Sequence, residues 1–523
     1  MTAQTPSRRD ALRAFAAFGA ATPFALNLAA MGSAAAQTAV TDYKALVCIF
    51  LQGGNDSNNL LLATDSGSWN RYWLARFRGA DPIALMPPGT APTAIGSINP
   101  VTKRKVAATD NPEYWGGVLP ITPKTPQYVP AAYAPPNATT LRTFALHPML
   151  SKSAALYGKG RLAALANVGT LLAPLTRDQY LHPTSSAPIP PRLYSHNDQQ
   201  SAWQSGQVGQ VTAGWGGEIG DVFAASSNAP SVNFTSFTTA GASIYPAGNV
   251  VKAYRIGLSS TGATAERIDL LQRTGSYYNS TKFLSALQAT LLGNDAAGNS
   301  LGDAYRAAVQ RSVDTAKSFQ AAVTGSSVAA PAAFTDPLSG KTASNPLAQQ
   351  LHAVAQTIAA HAKLGPNRQV FFVQLGGFDT HDRENARQSL LLAQVDHALD
   401  YFDSVMQAQG YGGAVTAFTA SDFNRTFTTN GDGTDHAWGG HHLILGGAVK
   451  GGDIYGTYPT VGLDDASTKF VNPDAVGNAL IPTTSVDQYL ATMGRWFGVS
   501  DPQLGTIFPR LSAFKSANLG FMG

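Results

Sequence analysis

The chain has 523 residues, 44% of them hydrophobic and 13% charged, with 36 basic and 32 acidic side chains and a net charge of +4. That much apolar material supports a large core, and so even a charge balance gives no pull toward nucleic acid or an anionic membrane surface. Cys48 is the only cysteine, which excludes an internal disulfide.

Residues 1–36 read as a cleaved export signal. Ser7-Arg8-Arg9-Asp10 precedes an alanine-rich, weakly apolar stretch from Ala11 to Ala30, and Ala34-Ala35-Ala36 supplies small residues before Gln37. Paired arginines ahead of a mildly hydrophobic stretch resemble a twin-arginine (Tat) signal, so the Tat export machinery is an expected partner and the periplasm or the exterior the expected location. An amphipathic helix of the mature fold is the competing reading. Residues 37–523 keep a net charge of +2 and hold no apolar run near the roughly 18 residues of a spanning helix, so no membrane anchor is expected. Large α/β enzymes run to this length as one unit, and a single domain with insertions is expected over 37–523.

Ala45 to Leu51 has the composition of a fully buried strand, with Cys48 as a small hydrophobe inside it. From about 64 to 137 the chain is rich in Pro, Gly, Thr and aromatics without a sustained period, which marks an insertion. His147 to Lys159 reads as helix, Arg161 to Val168 as strand, Ser195 to Gln207 as helix and Pro230 to Phe237 as strand. Ala263 to Val323 is mostly helical in pattern, broken at Gly293-Asn294-Asp295, and a small-residue linker follows it. Together they form a helical insertion near 263–345. Then helix and strand alternate: helix Leu347–Leu364, strand Val370–Leu375, helix Glu384–Gln409, strand Ala414–Thr419, strand His442–Gly446 and helix Ser485–Phe497. Such alternation predicts an α/β fold around a mainly parallel sheet.

Ligands of open α/β sheets sit beyond the carboxyl ends of strands, and acids and histidines collect there in this chain. Gly53-Gly54-Asn55-Asp56 ends the first strand, as a turn or as a cation ligand with Asp56 as the donor. Ser195-His196-Asn197-Asp198 opens a helix, where Ser195 is an N-cap or a nucleophile. Gly376-Gly377-Phe378-Asp379-Thr380-His381-Asp382 is the strongest local signal. In an extended segment Asp379 and His381 face the same way and can share an ion, leaving Asp382 to cap the next helix. Asp422 follows another strand, and Asp435, His436 and His441 crowd a glycine-rich loop in which Asn430 and Asp432 lack the spacing of a calcium loop.

Taken together, GGNDSNNL, YSHNDQQSAWQSG, GWGG, GGFDTH, SDFNRT and GTDHAWGGHH resemble the exported domain-of-unknown-function family 1501, within the alkaline phosphatase and sulfatase superfamily. The resemblance implies an alkaline phosphatase-like three-layer sandwich with metal ligands at strand ends. By it, Asp56 and Asp422 would bind one ion beside the nucleophile Ser195, and Asp379 and His381 with His436 or His441 would hold a second. Arg425 would hold the substrate anion. Zn²⁺ or Mn²⁺ suits such donors best, with Ca²⁺ or Mg²⁺ also compatible. The implied function is metal-dependent hydrolysis of phosphate or sulfate esters, the substrate an anionic small molecule or polymer. The alternative is a non-catalytic exported metal- or ligand-binding protein of the same fold. Two departures stand out: only Thr380 separates Asp379 from His381, and Phe423 follows Asp422 where the phosphatases carry histidine. One ion site is therefore expected to be altered or lost.

Overall fold

A computed structural model describes residues 40–523 apart from 131, 132, 134–139, 186, 210, 242, 266–274, 277 and 293–299. The expected signal over 1–36 and the break at Gly293-Asn294-Asp295 lie outside the described residues.

Ten strands form the main sheet: β1 (Lys44–Gln52), β2 (Leu162–Gly169), β3 (Ser236–Thr238), β4 (Tyr254–Ser259), β5 (Gly262–Ala265), β6 (Arg368–Gly376), β7 (Val415–Ser421), β8 (Gly440–Gly446), β9 (Ile454–Tyr455) and β10 (Thr484–Ser485). Their order is β9-β2-β8-β7-β1-β6-β3-β4-β5, with β10 also on β2. From β7 through β1, β6 and β3 to β4 every neighbouring pair is parallel, while β8 and β5 run antiparallel to theirs.

Side chains of a strand alternate between faces, and β1 shows both faces buried. Ala45, Val47, Ile49 and Leu51 enter one core with Leu351, Val354 and Ile358 of α4 (Pro346–Ala359) and Leu392, Val395 and Phe402 of α5 (Glu384–Ala408). Leu46, Cys48 and Phe50 enter the other with Trp215, Ile219 and Phe223 of α3 (Trp215–Ala224) and Leu490, Met493 and Phe497 of α6 (Val486–Phe497). Each such large apolar side chain contributes roughly 1.5–3 kcal/mol by its burial. Helices on both faces explain why β1 and β6 read as continuous apolar runs rather than alternating ones.

The expected elements depart from the structure in three places. The segment from Pro230 winds into a 3₁₀ turn at Val232–Phe234, and only Ser236–Thr238 pairs as strand. Within 263–345, β5 belongs to the main sheet, and helices Thr281–Leu292 and Ser300–Val323 follow. β4 and β5 form a sheet-edge hairpin too short and too rich in Gly, Ser and Thr to show a period. Between 64 and 137 lie α1 (Ser66–Arg76) and a strand of a small antiparallel sheet. No described helix is long and apolar enough to cross a membrane.

Candidate metal centre

The parallel register places Gln52 beside Gly376 and Leu51 beside Ser421, so β1, β6 and β7 end side by side. Everything after those ends meets in one region. Gly53 has φ +115, and a Cβ there would lie 2.4 Å from the Asp379 nitrogen, so only glycine lets the two loops approach this closely. Asn424 accepts from the Ser57 N–H and hydroxyl, both at 2.9 Å, and donates to the Gly439 carbonyl at 2.8 Å. These bonds fasten the first-strand loop to the segment after β7. The N-terminus of α2 (His196–Ser205) approaches from outside the sheet.

Three imidazoles converge on one carboxylate oxygen. Asp379 Oδ1 lies 3.5 Å from His196 Nε2, 3.1 Å from His381 Nε2 and 3.3 Å from His436 Nε2. His381 and His436 hold their Nε2 atoms 3.0 Å apart. Each ring is oriented from its other nitrogen: His196 Nδ1 donates to Asp422 Oδ2 at 2.7 Å, His436 Nδ1 to the Tyr194 carbonyl at 2.8 Å and His381 Nδ1 to Asp435 Oδ1 at 3.2 Å. With protons on Nδ1, the three Nε2 atoms all stand within 3.5 Å of Asp379 Oδ1, and His381 Nε2 also lies 3.5 Å from Arg425 Nη1. Phe423 packs its ring against both His196 and His436, at centroid distances of 4.8 and 4.5 Å.

The electrostatics suit a cation. Hydrogen bonding to Asp422, which is fully buried, raises the His196 pKa above its ordinary value despite partial burial. Burial lowers the His436 pKa and keeps that ring neutral, while the Tyr194 carbonyl acts the other way. Partial burial pushes the Asp379 carboxyl up, but bonding to Arg425 outweighs it and the net pKa is low. Asp379 is thus an anion throughout the neutral range, and 47% of its side chain is open to solvent.

The donor set fits a divalent transition metal. Ligands at about 2.0–2.1 Å in a tetrahedral Zn²⁺ shell are about 3.3 Å from one another, close to the separations above. His196, Asp379 and His436 offer ligand atoms that all lie within 4.8 Å of each other. Hydrogen bonds that orient the far nitrogen of each histidine are the usual support of such ligands. Imidazole nitrogens with one carboxylate oxygen favour Zn²⁺ over Ca²⁺ or Mg²⁺, with His381 outside that group of three.

Not every candidate residue reaches this cluster. Asp56 is fully buried and bound to Arg76 of α1, Oδ1 to Nη2 at 2.9 Å and Oδ2 to Nη1 at 2.5 Å, with Asn58 also on Oδ1. Asp379 also pairs with a guanidinium, but Asp56 has both oxygens held by one and no exposure, so it is not presented to the centre. His441 points its Nδ1 at the Asn167 N–H (3.0 Å), stacks on Tyr458 and is pushed down to about pKa 3 by burial. Asp422 accepts from His196, the Gly53 N–H and Gln200, which puts it behind His196 rather than in the cluster. Ser195 occupies the N-cap position of α2 without a side-chain cap bond, and its hydroxyl donates to Asp198 Oδ2 at 2.6 Å. Arg425 spends its N–H groups on the carbonyls of Gly53, Gly54 and Thr434 and on Asp379. Asp382 pairs with Arg387 instead of capping α5; Asp432 takes the Arg383 and Glu384 N–H groups. The residue that spacing alone did not select is His196. Its signal is its position directly after a helix cap, at the turn where β-strand ends and helix N-termini meet.

No curated protein matches the chain. The crystal structure of Ps i-CgsB in complex with k-i-k-neocarrahexaose is similar over 66% of this chain and 66% of that one, just under two thirds, at 9% identity and a TM-score of 0.26. A likeness that slight carries no conclusion about fold or substrate. Residues 43–507, nearly all of the described chain and every residue of the centre, match the family described as Protein of unknown function (DUF1501), and the chain belongs to that family.

Proposed function

We propose that the protein is an exported, metal-dependent hydrolase of phosphate or sulfate esters with an alkaline phosphatase-like fold. The observation that carries this reading is the convergence of His196, His381 and His436 Nε2 on Asp379 Oδ1, each ring held from its Nδ1. A divalent ion, when bound, supplies Lewis acidity toward an ester oxygen and toward water. His196, Asp379 and His436, with His381 beside them, would hold the ion, and Asp422, Asp435 and the Tyr194 carbonyl hold the Nδ1 protons. Ser195 and Asp198 form a nucleophile–base pair at hydrogen-bond distance. Attack would join Ser195 Oγ to phosphorus or sulfur, pass the hydroxyl proton to Asp198 and expel the alkoxide, which takes a proton from solvent. Water then cleaves the intermediate. Export through the Tat machinery to the periplasm rests on Ser7-Arg8-Arg9 and the alanine-rich stretch after it.

Arg425 favours the second reading, a non-catalytic exported metal-binding protein, because its donors are taken by the protein and not free for a substrate anion. Metal content of the exported protein together with turnover of aryl phosphates and sulfates separates the two. Bound zinc and turnover lost in both Ser195→Ala and His436→Ala support the hydrolase. Bound zinc without turnover leaves the binding protein. Protein that takes up no divalent ion sinks both.

A further inference from the structure

The two ligand-bearing loops meet at Thr434, a fully buried residue that binds no ion itself. Its N–H donates to the Thr380 carbonyl at 3.0 Å, and Thr380 stands between Asp379 and His381. Its own carbonyl accepts from Arg425 Nη1 at 3.2 Å. Thr434 is two residues ahead of His436 in the chain, and its hydroxyl lies 3.0 Å from Glu384 Oε2 and 3.4 Å from the Thr380 carbonyl. Beside it, a Cβ on Gly433 would stand 2.2 Å from the His381 carbonyl, so the loops touch backbone to backbone. Glu384 closes the arrangement by donating its N–H to the Asp432 carbonyl at 2.8 Å.

Glu384 is fully buried beside Asp56. Arg76, the cation between them and the rest of the interior, is committed to Asp56 and to the carbonyls of Thr426 and Phe427. A second carboxylate charge at that depth has no counter-ion of its own, and such a group stays protonated. Burial, then the Asp56 charge, push the Glu384 pKa up to about 8. In the neutral acid Oε2 accepts from Thr434. That leaves Oε1, which is buried without a hydrogen-bond partner, to carry the proton.

We propose that Thr434 and Glu384 form the positioning clasp of the metal centre: they set the spacing of His381 against His436 and thereby the affinity for a divalent ion. The inference rests on the reading of the cluster as a metal centre. Its test is zinc titration of the full exported protein by calorimetry, with metal-free crystal structures as an independent readout. Thr434→Val keeps size and backbone bonds and removes only the hydroxyl. It is expected to weaken zinc binding about 10- to 100-fold, as loss of support behind a ligand does, and to widen the 3.0 Å separation of the two Nε2 atoms. Thr434→Ser restores both. Glu384→Gln, which copies the neutral acid, stays near wild type, whereas Glu384→Ala behaves like Thr434→Val. A Thr434→Val protein with wild-type affinity and unchanged separation overturns the clasp. Glu384→Gln falling to the level of Glu384→Ala overturns the neutral acid. Wild-type protein that binds no zinc refutes the metal reading, and the Nε2 separation in the variants then still decides the clasp.

Discussion

His381 and His436 hold their Nε2 atoms 3.0 Å apart while Asp435 and the Tyr194 carbonyl accept the protons on the opposite nitrogens. Two lone pairs at that distance repel unless a cation stands among them, and Arg425 supplies part of one through its bond to Asp379 and through Nη1, 3.5 Å from His381 Nε2. Zinc is therefore expected to stabilise the fold, by about 2.7 kcal/mol when free zinc is a hundred times the dissociation constant. His436→Ala should abolish most of that shift. Thermal melts with and without zinc read it directly, and equal shifts in wild type and variant would exclude His436 as a ligand.

Asp422 acts on the same centre from one layer back. Its Oδ2 takes the His196 Nδ1 proton and its Oδ1 takes the Gly53 N–H, so no position of a neutral amide serves both donors. Asp422→Asn should weaken zinc binding about 10- to 100-fold without changing stoichiometry. The pH profile moves with it. Asp422 raises the His196 pKa, so protons compete with the metal from a higher pH in wild type than in the variant. Zinc affinity measured from pH 5 to 8 checks the order: the variant's decline on acidification begins at lower pH.

The sheet and part of the centre were legible because their signals are local. Val370 to Leu375 followed by two glycines and Asp379 has strand length, a break and a donor in sequence, and the structure puts it at a strand end beside His436. His196 was not legible as a member of the cluster because its place depends on Asp422, 226 positions away. Asp56 shows the converse. It has the same strand–glycine–acid pattern as Asp379, yet Arg76, on a helix inside what reads as an insertion, reaches back and fills its carboxylate. His441 and His436 look equivalent in the glycine-rich loop. The first residues of β8 turn His441 inward against Tyr458, whereas His436 stays in the loop. A spacing rule sees donors; it does not see which long-range partner arrives first.

Asp56 and Arg76 make the first stability prediction. Both side chains have no exposure, so removing one charge strands the other. Asp56→Asn should cost about 3–5 kcal/mol in metal-free protein, the usual penalty for breaking a buried pair from one side. Zinc stoichiometry should survive the change. Urea unfolding and zinc titration on the same variant test both halves, and loss of bound zinc from a folded Asp56→Asn protein would return Asp56 to the centre.

Glu384 makes the second, and its sign follows from where its proton sits. The folded state holds that proton up to about pH 8, whereas an unfolded glutamate releases it near its ordinary value of 4.5. Between those two points the folded state therefore holds a proton that the unfolded state has released, and the contribution of Glu384 to stability falls as pH rises across that window, then levels off. Glu384→Gln has nothing to titrate there. Its stability relative to wild type should grow from pH 4.5 to about 8, by an amount on the order of a few kcal/mol, and stay constant above. Paired urea titrations of metal-free protein from pH 4 to 9 measure the difference while other titrating groups cancel between the two chains. A difference independent of pH would mean that Glu384 is ionised in the fold, and that a cation other than Arg76 reaches it.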